Sequence, residues 1–184
     1  VLDRLLNFMR IPAPPAALRV ARALINLSQR EAAERASVPH RYLTIVETSD
    51  ARINSNLELV DFYFSEGIEL LGEARIGTEI VRSGARWSPP SSPEINSTQK
   101  AKFHVEDARV SFRAARALLN KRQDEVAALT GLSRATVKSL EAGKTWQESH
   151  QTLLDFYERV GVEFMGWGDP VTAKYFGVGV RWKN

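Results

Sequence analysis

Apolar and polar residues follow two different periods along this chain. From Val110 to Leu119 the apolar positions recur at helical spacing, with Arg113 and Arg116 about one turn apart, which predicts a helix. Gln123 to Thr130 predicts a second, short, Ala-rich helix. Gly131-Leu132-Ser133 then reads as a tight turn, because glycine can take the left-handed conformation that ends one helix and Ser133 can cap the next. A third helix is expected from about Arg134 to Glu141, stopping at Ala142-Gly143, and a fourth from Ser149 to Val160, with Leu153, Leu154, Phe156 and Tyr157 as core candidates. Beyond it the period falls to two: Val162 to Met165 and Phe176 to Trp182 alternate as the strands of a hairpin. Residues 16 to 87 repeat this order, and residues 1 to 11 carry an apolar stripe that reads as an extra helix.

The repetition extends to residue identity. Shifted by 94 positions without a gap, Arg19 to Gly72 lies on Arg113 to Gly166 with about one residue in three identical, which predicts a duplicated unit. Agreement is densest between Arg19-Val20-Ala21-Arg22-Ala23-Leu24-Ile25-Asn26 and Arg113-Ala114-Ala115-Arg116-Ala117-Leu118-Leu119-Asn120. The expected domains are an N-terminal helix with a Pro-rich spacer (1–15), a first repeat (16–87), a linker (88–105) and a second repeat (106–184). Pro12-Ala13-Pro14-Pro15 should stop any helix before the first repeat. The Ser- and Pro-rich stretch from Ser88 to Gln99 should be extended, leaving two tethered modules.

Composition narrows the function. The chain has 184 residues and no cysteine, which excludes disulfides, thiolate metal sites and a cysteine nucleophile and fits a reducing, cytoplasmic setting. No apolar run reaches the roughly 18 residues of a membrane span. Residues 1 to 11 contain Asp3 and lack the small-residue cleavage pattern of a signal peptide. The first 87 residues hold 11 basic and 11 acidic side chains and the remainder 14 and 11, so the whole +3 lies in the second half, with every lysine. Such an excess permits binding to a phosphate polymer. His40, His104 and His150 are far apart in sequence, no nucleophile elbow is present, and Gly177-Val178-Gly179 lacks the third glycine and following helix of a nucleotide site. No metal, cofactor or enzymatic activity is expected.

Two short helices joined by a Gly-containing turn, the second opened by a capping serine, form the arrangement whose second helix can enter a DNA major groove. The run from Gln123 to Lys144 resembles the Cro/phage-repressor helix-turn-helix regulators, also called xenobiotic-response-element-type: Gln opens the second helix, paired Ala follows, then Gly-Leu-Ser, then Leu-Glu-Ala-Gly-Lys. Gly161-Val162-Glu163-Phe164 and Gly179-Val180-Arg181 resemble a subgroup with a C-terminal hairpin. The implied fold is mainly α with small β-hairpins: two tandem lambda-repressor-like helix-turn-helix domains, each of four to five helices followed by a two-stranded hairpin. By the resemblance, Gln123 would contact a phosphate or a base, Ser133 would bind phosphate, and Arg134, Lys138 and Ser139 would reach base edges. Arg134 offers the planar fork that fits guanine O6 and N7, whereas Thr136 and Lys144 suit phosphates. The family pattern also makes Arg116 and Glu141 a structural ion pair, repeated by Arg22 and Glu47.

The first copy departs at the same positions. Gln29 keeps the helix opening with Ser28 as its cap, but Gly-Leu-Ser becomes Ser37-Val38-Pro39. Its candidate DNA contacts are His40, Arg41 and Thr44, on a helix made more apolar by Leu43 and Ile45, and the closing Gly-Lys becomes Ser49-Asp50. Two functions follow. One is a bacterial or phage-derived, mobile-element type of transcription regulator that binds double-stranded DNA at an asymmetric operator. The other is a protein-binding adaptor, anti-activator or co-activator whose first repeat grips another regulator or RNA polymerase. The strands ending at Trp87 and Trp182 leave edges that need a partner. If the two hairpins joined into one sheet, the chain would imitate a dimer; the alternatives are a homodimer, or hairpins that each pack on their own helices.

Overall fold

A computed structural model describes residues 11–49, 53–73, 80–92 and 94–184. The expected helix over residues 1 to 11 therefore lies outside the described residues except for Ile11, as does Asp50. The first half contains α1 (Pro15–Leu24), α2 (Gln29–Arg35), α3 (His40–Val46), α4 (Ile53–Ser65), β1 (Ile68–Glu73) and β2 (Val81–Trp87). A short α5 (Ser97–Lys100) precedes α6 (Phe112–Leu118), α7 (Gln123–Thr130), α8 (Arg134–Glu141), α9 (Gln147–Arg159), β3 (Val162–Gly168) and β4 (Tyr175–Trp182).

Local chemistry sets these limits. Pro15 opens α1, where its missing N–H costs nothing. At α2 the Ser28 hydroxyl accepts from the Glu31 N–H at 3.2 Å while the Glu31 carboxylate accepts from the Ser28 N–H at 2.8 Å, a complete capping box. Asn96 caps α5 by accepting the Gln99 N–H at 2.9 Å, so the linker is helical where an extended chain was expected. The spacer is clamped too: Asn56 exchanges two 2.8 Å hydrogen bonds with the backbone of Ala13.

Departures from the ordinary right-handed backbone recur 94 residues apart. Asn26 and Asn120 have φ of +56° and +53°, Ser37 and Gly131 +56° and +72°, and Gly67 and Gly161 +85° and +94°. Both hairpins also shift register at a corresponding glycine, between Leu71 and Glu73 and between Met165 and Trp167.

The four strands form one antiparallel sheet in the order β1-β2-β4-β3. The hairpins meet where β2 pairs with β4: Ala85 faces Val180, Gly84 faces Arg181 and Arg86 faces Gly179. This contact is reciprocal, and it is tight. A Cβ on Gly84 would stand 2.1 Å from the Val180 carbonyl oxygen, and one on Gly179 would stand 2.3 Å from that of Ala85. Only glycine allows this approach of two backbones.

The halves are thus fused, not merely tethered. α1 packs on α6, and a single buried cluster runs from Leu18, Leu43 and Tyr63 through Ala85 and Val180 to Leu118, Val137 and Tyr157. The segment after β2 is fastened as well: His104 stacks on Trp87 with ring centres 3.6 Å apart, the Trp87 indole N–H donates to Glu106, and Lys100 pairs with the buried Asp169 at 2.8 Å. Units of about 75 residues bury little apolar area alone, and the shared core and sheet compensate.

Candidate nucleic-acid interface

The angle between α7 and α8 is set by their connection. The Glu125 carboxylate accepts the Arg122 N–H at 2.8 Å to open α7, and Gly131 ends it in the left-handed conformation. Ser133 caps α8, its hydroxyl accepting the Thr136 N–H at 3.0 Å and lying 2.9 Å from the Thr136 hydroxyl. Val137 and Leu140 are buried, which fixes the inward face of α8. Arg134 and Lys138, one turn apart, are exposed on the other side, and neither side chain has a hydrogen-bond or ion-pair partner among the described residues. Ser133 and Lys144 are also exposed, whereas Thr136 and Ser139 are half-buried.

A polar network holds this unit from behind. Arg116 Nε lies 2.5 Å from Glu141 Oε1 and its Nη2 lies 3.0 Å from Oε2, while Nη1 donates to the Lys121 carbonyl at 3.1 Å. Gln123 Nε2 donates to Glu141 Oε2 at 2.8 Å, so this side chain, expected at the nucleic acid, also ties the start of α7 to the end of α8. Only 2% of the Glu141 side chain is exposed, and its oxygens accept three hydrogen bonds, two from Arg116 and one from Gln123.

The first half builds the same network. Arg22 contacts Glu47 at 2.6 and 2.9 Å, and Gln29 Nε2 donates to Glu47 at 2.8 Å. α3 follows Pro39 and buries Leu43 and Val46 completely. Of the two residues that make this helix more apolar, Leu43 therefore belongs to the core and Ile45 is half-buried. His40, Arg41 and Thr44 are exposed. Arg41 folds back over the Tyr42 ring, 4.7 Å from its centre, and donates to the Tyr42 hydroxyl at 2.9 Å. The Thr44 hydroxyl donates to the His40 carbonyl at 3.2 Å.

Three side chains that the sequence did not mark as functional join the halves. Arg19 Nε and Nη2 donate to the carbonyls of Ala117 and Leu118 at 3.0 and 3.2 Å, and Nη1 donates to the Glu47 carbonyl, so one guanidinium gathers the ends of α6 and α3. Reciprocally, Arg113 donates to the Asn26 side-chain oxygen. These residues, with Asn120, bound the most similar stretch of the two halves, and that similarity was the signal they carried in the sequence. Among the described residues no group of three or more metal-ligating side chains occurs, and no helix is long and apolar enough to cross a membrane.

No curated protein and no solved structure gives a significant match to the chain. A helix-turn-helix family model matches residues 112–147, which span α6, α7, α8 and the first residue of α9. That stretch is a helix-turn-helix of the kind by which DNA-binding regulators engage duplex DNA.

Proposed function

We propose that this protein is a sequence-specific double-stranded-DNA-binding transcription regulator, with two non-identical helix-turn-helix units that engage the two halves of an asymmetric operator. The observation that carries this is α8: a capped helix, anchored by Val137, Leu140 and the Glu141 network, that holds Arg134 and Lys138 outward within the matched helix-turn-helix. Arg134 and Lys138 would read base edges with Ser139, while Ser133, Thr136, Lys144 and the start of α7 at Gln123 would lie along phosphates. The second unit is α2 and α3, which share the element order, the Arg–Glu–Gln network and the backbone turns of α7 and α8. Its contacts would come from Gln29, His40, Arg41 and Thr44.

On this reading the two units arose by duplication, and the β2–β4 pairing and the α1–α6 packing make the chain an internal pseudo-dimer. Occupancy of the operator would exclude RNA polymerase or recruit it. A second reading keeps DNA for α8 alone and gives α3 to another regulator or to polymerase; the return of Arg41 onto Tyr42 favours it.

Selection of bound duplexes from a random pool, with wild type, Arg134→Ala and Arg41→Ala, tests both. Arg134→Ala should erase one base preference and cost about 1–3 kcal/mol of discrimination. An unchanged selected sequence would reject the assignment of α8, and silence of Arg41→Ala alone would favour the adaptor role for α3. Binding should weaken steeply with salt.

A further inference from the structure

Where α1 packs on α6, the two halves leave a groove of about 420 Å³. It is shared by both: Arg19, Asn26 and Ser28 line it from one half and Arg113, Asn120 and Lys138 from the other. Six basic side chains enter the lining against one carboxylate, Glu141. Two of the six, Arg22 and Arg116, are neutralised by Glu47 and Glu141. Of the other four, only Lys121 meets a carboxylate among the described residues, Glu125. Arg19 donates only to carbonyl oxygens, Lys121 pairs with Glu125 at 3.6 Å, and the Lys138 ammonium has no partner among the described residues. Burial, with a smaller contribution from the neighbouring Arg22, outweighs the nearby Glu47 and lowers the Arg19 guanidinium from its ordinary value.

Neutral donors complete the groove. Asn26 gives its oxygen to Arg113 and keeps its amide N–H groups, while the Asn120 side chain makes no hydrogen bond among the described residues. Both asparagines sit in left-handed turns that close α1 and α6, so they enter the groove from corresponding places in the two halves. Amide donors contributed by both halves, with cations beside them, suit a ligand with singly charged oxygens spaced along a chain. A phosphodiester strand has that chemistry, with one charge repeated at each linkage along the chain.

We propose that the groove between α1 and α6 binds phosphodiester groups through Asn26, Asn120, Arg113 and Lys121. The groups come either from the DNA backbone between the two half-sites or from a free dinucleotide. The first source rests on the DNA-binding function proposed above; the second does not.

The experiment uses the full chain in two arms, with Lys121→Gln and Asn120→Gly as variants. Glycine preserves the left-handed turn, and a thermal melt of each variant reports folding. In the first arm, duplexes from the pool selection carry charge-neutral methylphosphonates between the half-sites. Wild type should lose about tenfold in affinity on this substitution and the variants clearly less, and Lys121→Gln should lower the salt slope by about one. In the second arm, a cyclic and a linear dinucleotide are titrated while the side-chain amide signals of Asn26 and Asn120 are followed by NMR.

Loss in the first arm assigns the groove to the DNA backbone, and saturable shifts in the second without that loss assign it to a free dinucleotide. Duplex binding that ignores the methylphosphonates, together with unmoved asparagine signals, overturns the groove and leaves the DNA reading standing. Absence of any duplex binding rejects the DNA reading, and the dinucleotide arm then decides the groove alone.

Discussion

Glu141 joins three helices through one carboxylate, and its loss would strand two partners at once. Glu141→Ala should cost about 3–5 kcal/mol in denaturant unfolding, because Arg116 and the Gln123 amide would remain in place without an acceptor. Replacing both Arg116 and Glu141 by apolar residues of similar size should cost less than the single change. A different outcome is expected next door. The hydroxyls of Tyr63 and Tyr157 are buried without a hydrogen-bond partner among the described residues, and burial, then the adjacent glutamate, pushes both phenols well above their ordinary value. Tyr157→Phe should therefore leave stability unchanged or raise it by about 1 kcal/mol, since it removes an unsatisfied polar atom and keeps the ring. The ion pairs were legible from family spacing at these positions. The bond from Gln123 to Glu141 was not, because the same side chain at a helix start can serve either a phosphate or a neighbouring carboxylate.

At the scale of the element, the turn before α3 is the strained counterpart of the turn before α8. Ser37 holds φ of +56° where the other half has Gly131. Ser37→Gly should raise the melting free energy by about 0.5–1 kcal/mol, as relief of the left-handed strain outweighs the entropy lost with glycine; a calorimetric comparison checks the sign. Helix limits set by local chemistry were legible: α7 and α8 begin and end where Gln123, Gly131, Ser133 and Glu141 predicted. Limits set by distant contacts were not. α9 begins at Gln147 rather than Ser149, and β3 continues past Met165 through a bulge to Gly168 because β4 offers it a partner.

Over the whole molecule, the crossing of β2 and β4 is the point on which the relation of the halves turns. Gly179→Ala would place a methyl group 2.3 Å from the Ala85 carbonyl oxygen and 2.4 Å from the Arg86 Cα, both backbone atoms that cannot rotate away. It should cost about 3 kcal/mol and weaken binding to a two-half-site duplex more than to a single half-site. Because one core spans both halves, wild-type unfolding should be a single calorimetric transition, and two separated transitions would show that the halves unfold independently. The sequence by itself determined the helices, their caps, the hairpins and the outward side chains of α8, since each depends on residues within a few positions of one another. Only the tertiary structure decided that the hairpins share one sheet, that Arg19 and Arg113 cross between halves, and that a cationic groove opens there. Those features depend on which surfaces meet, and a backbone approach that glycine merely permits carries no periodic trace along the chain.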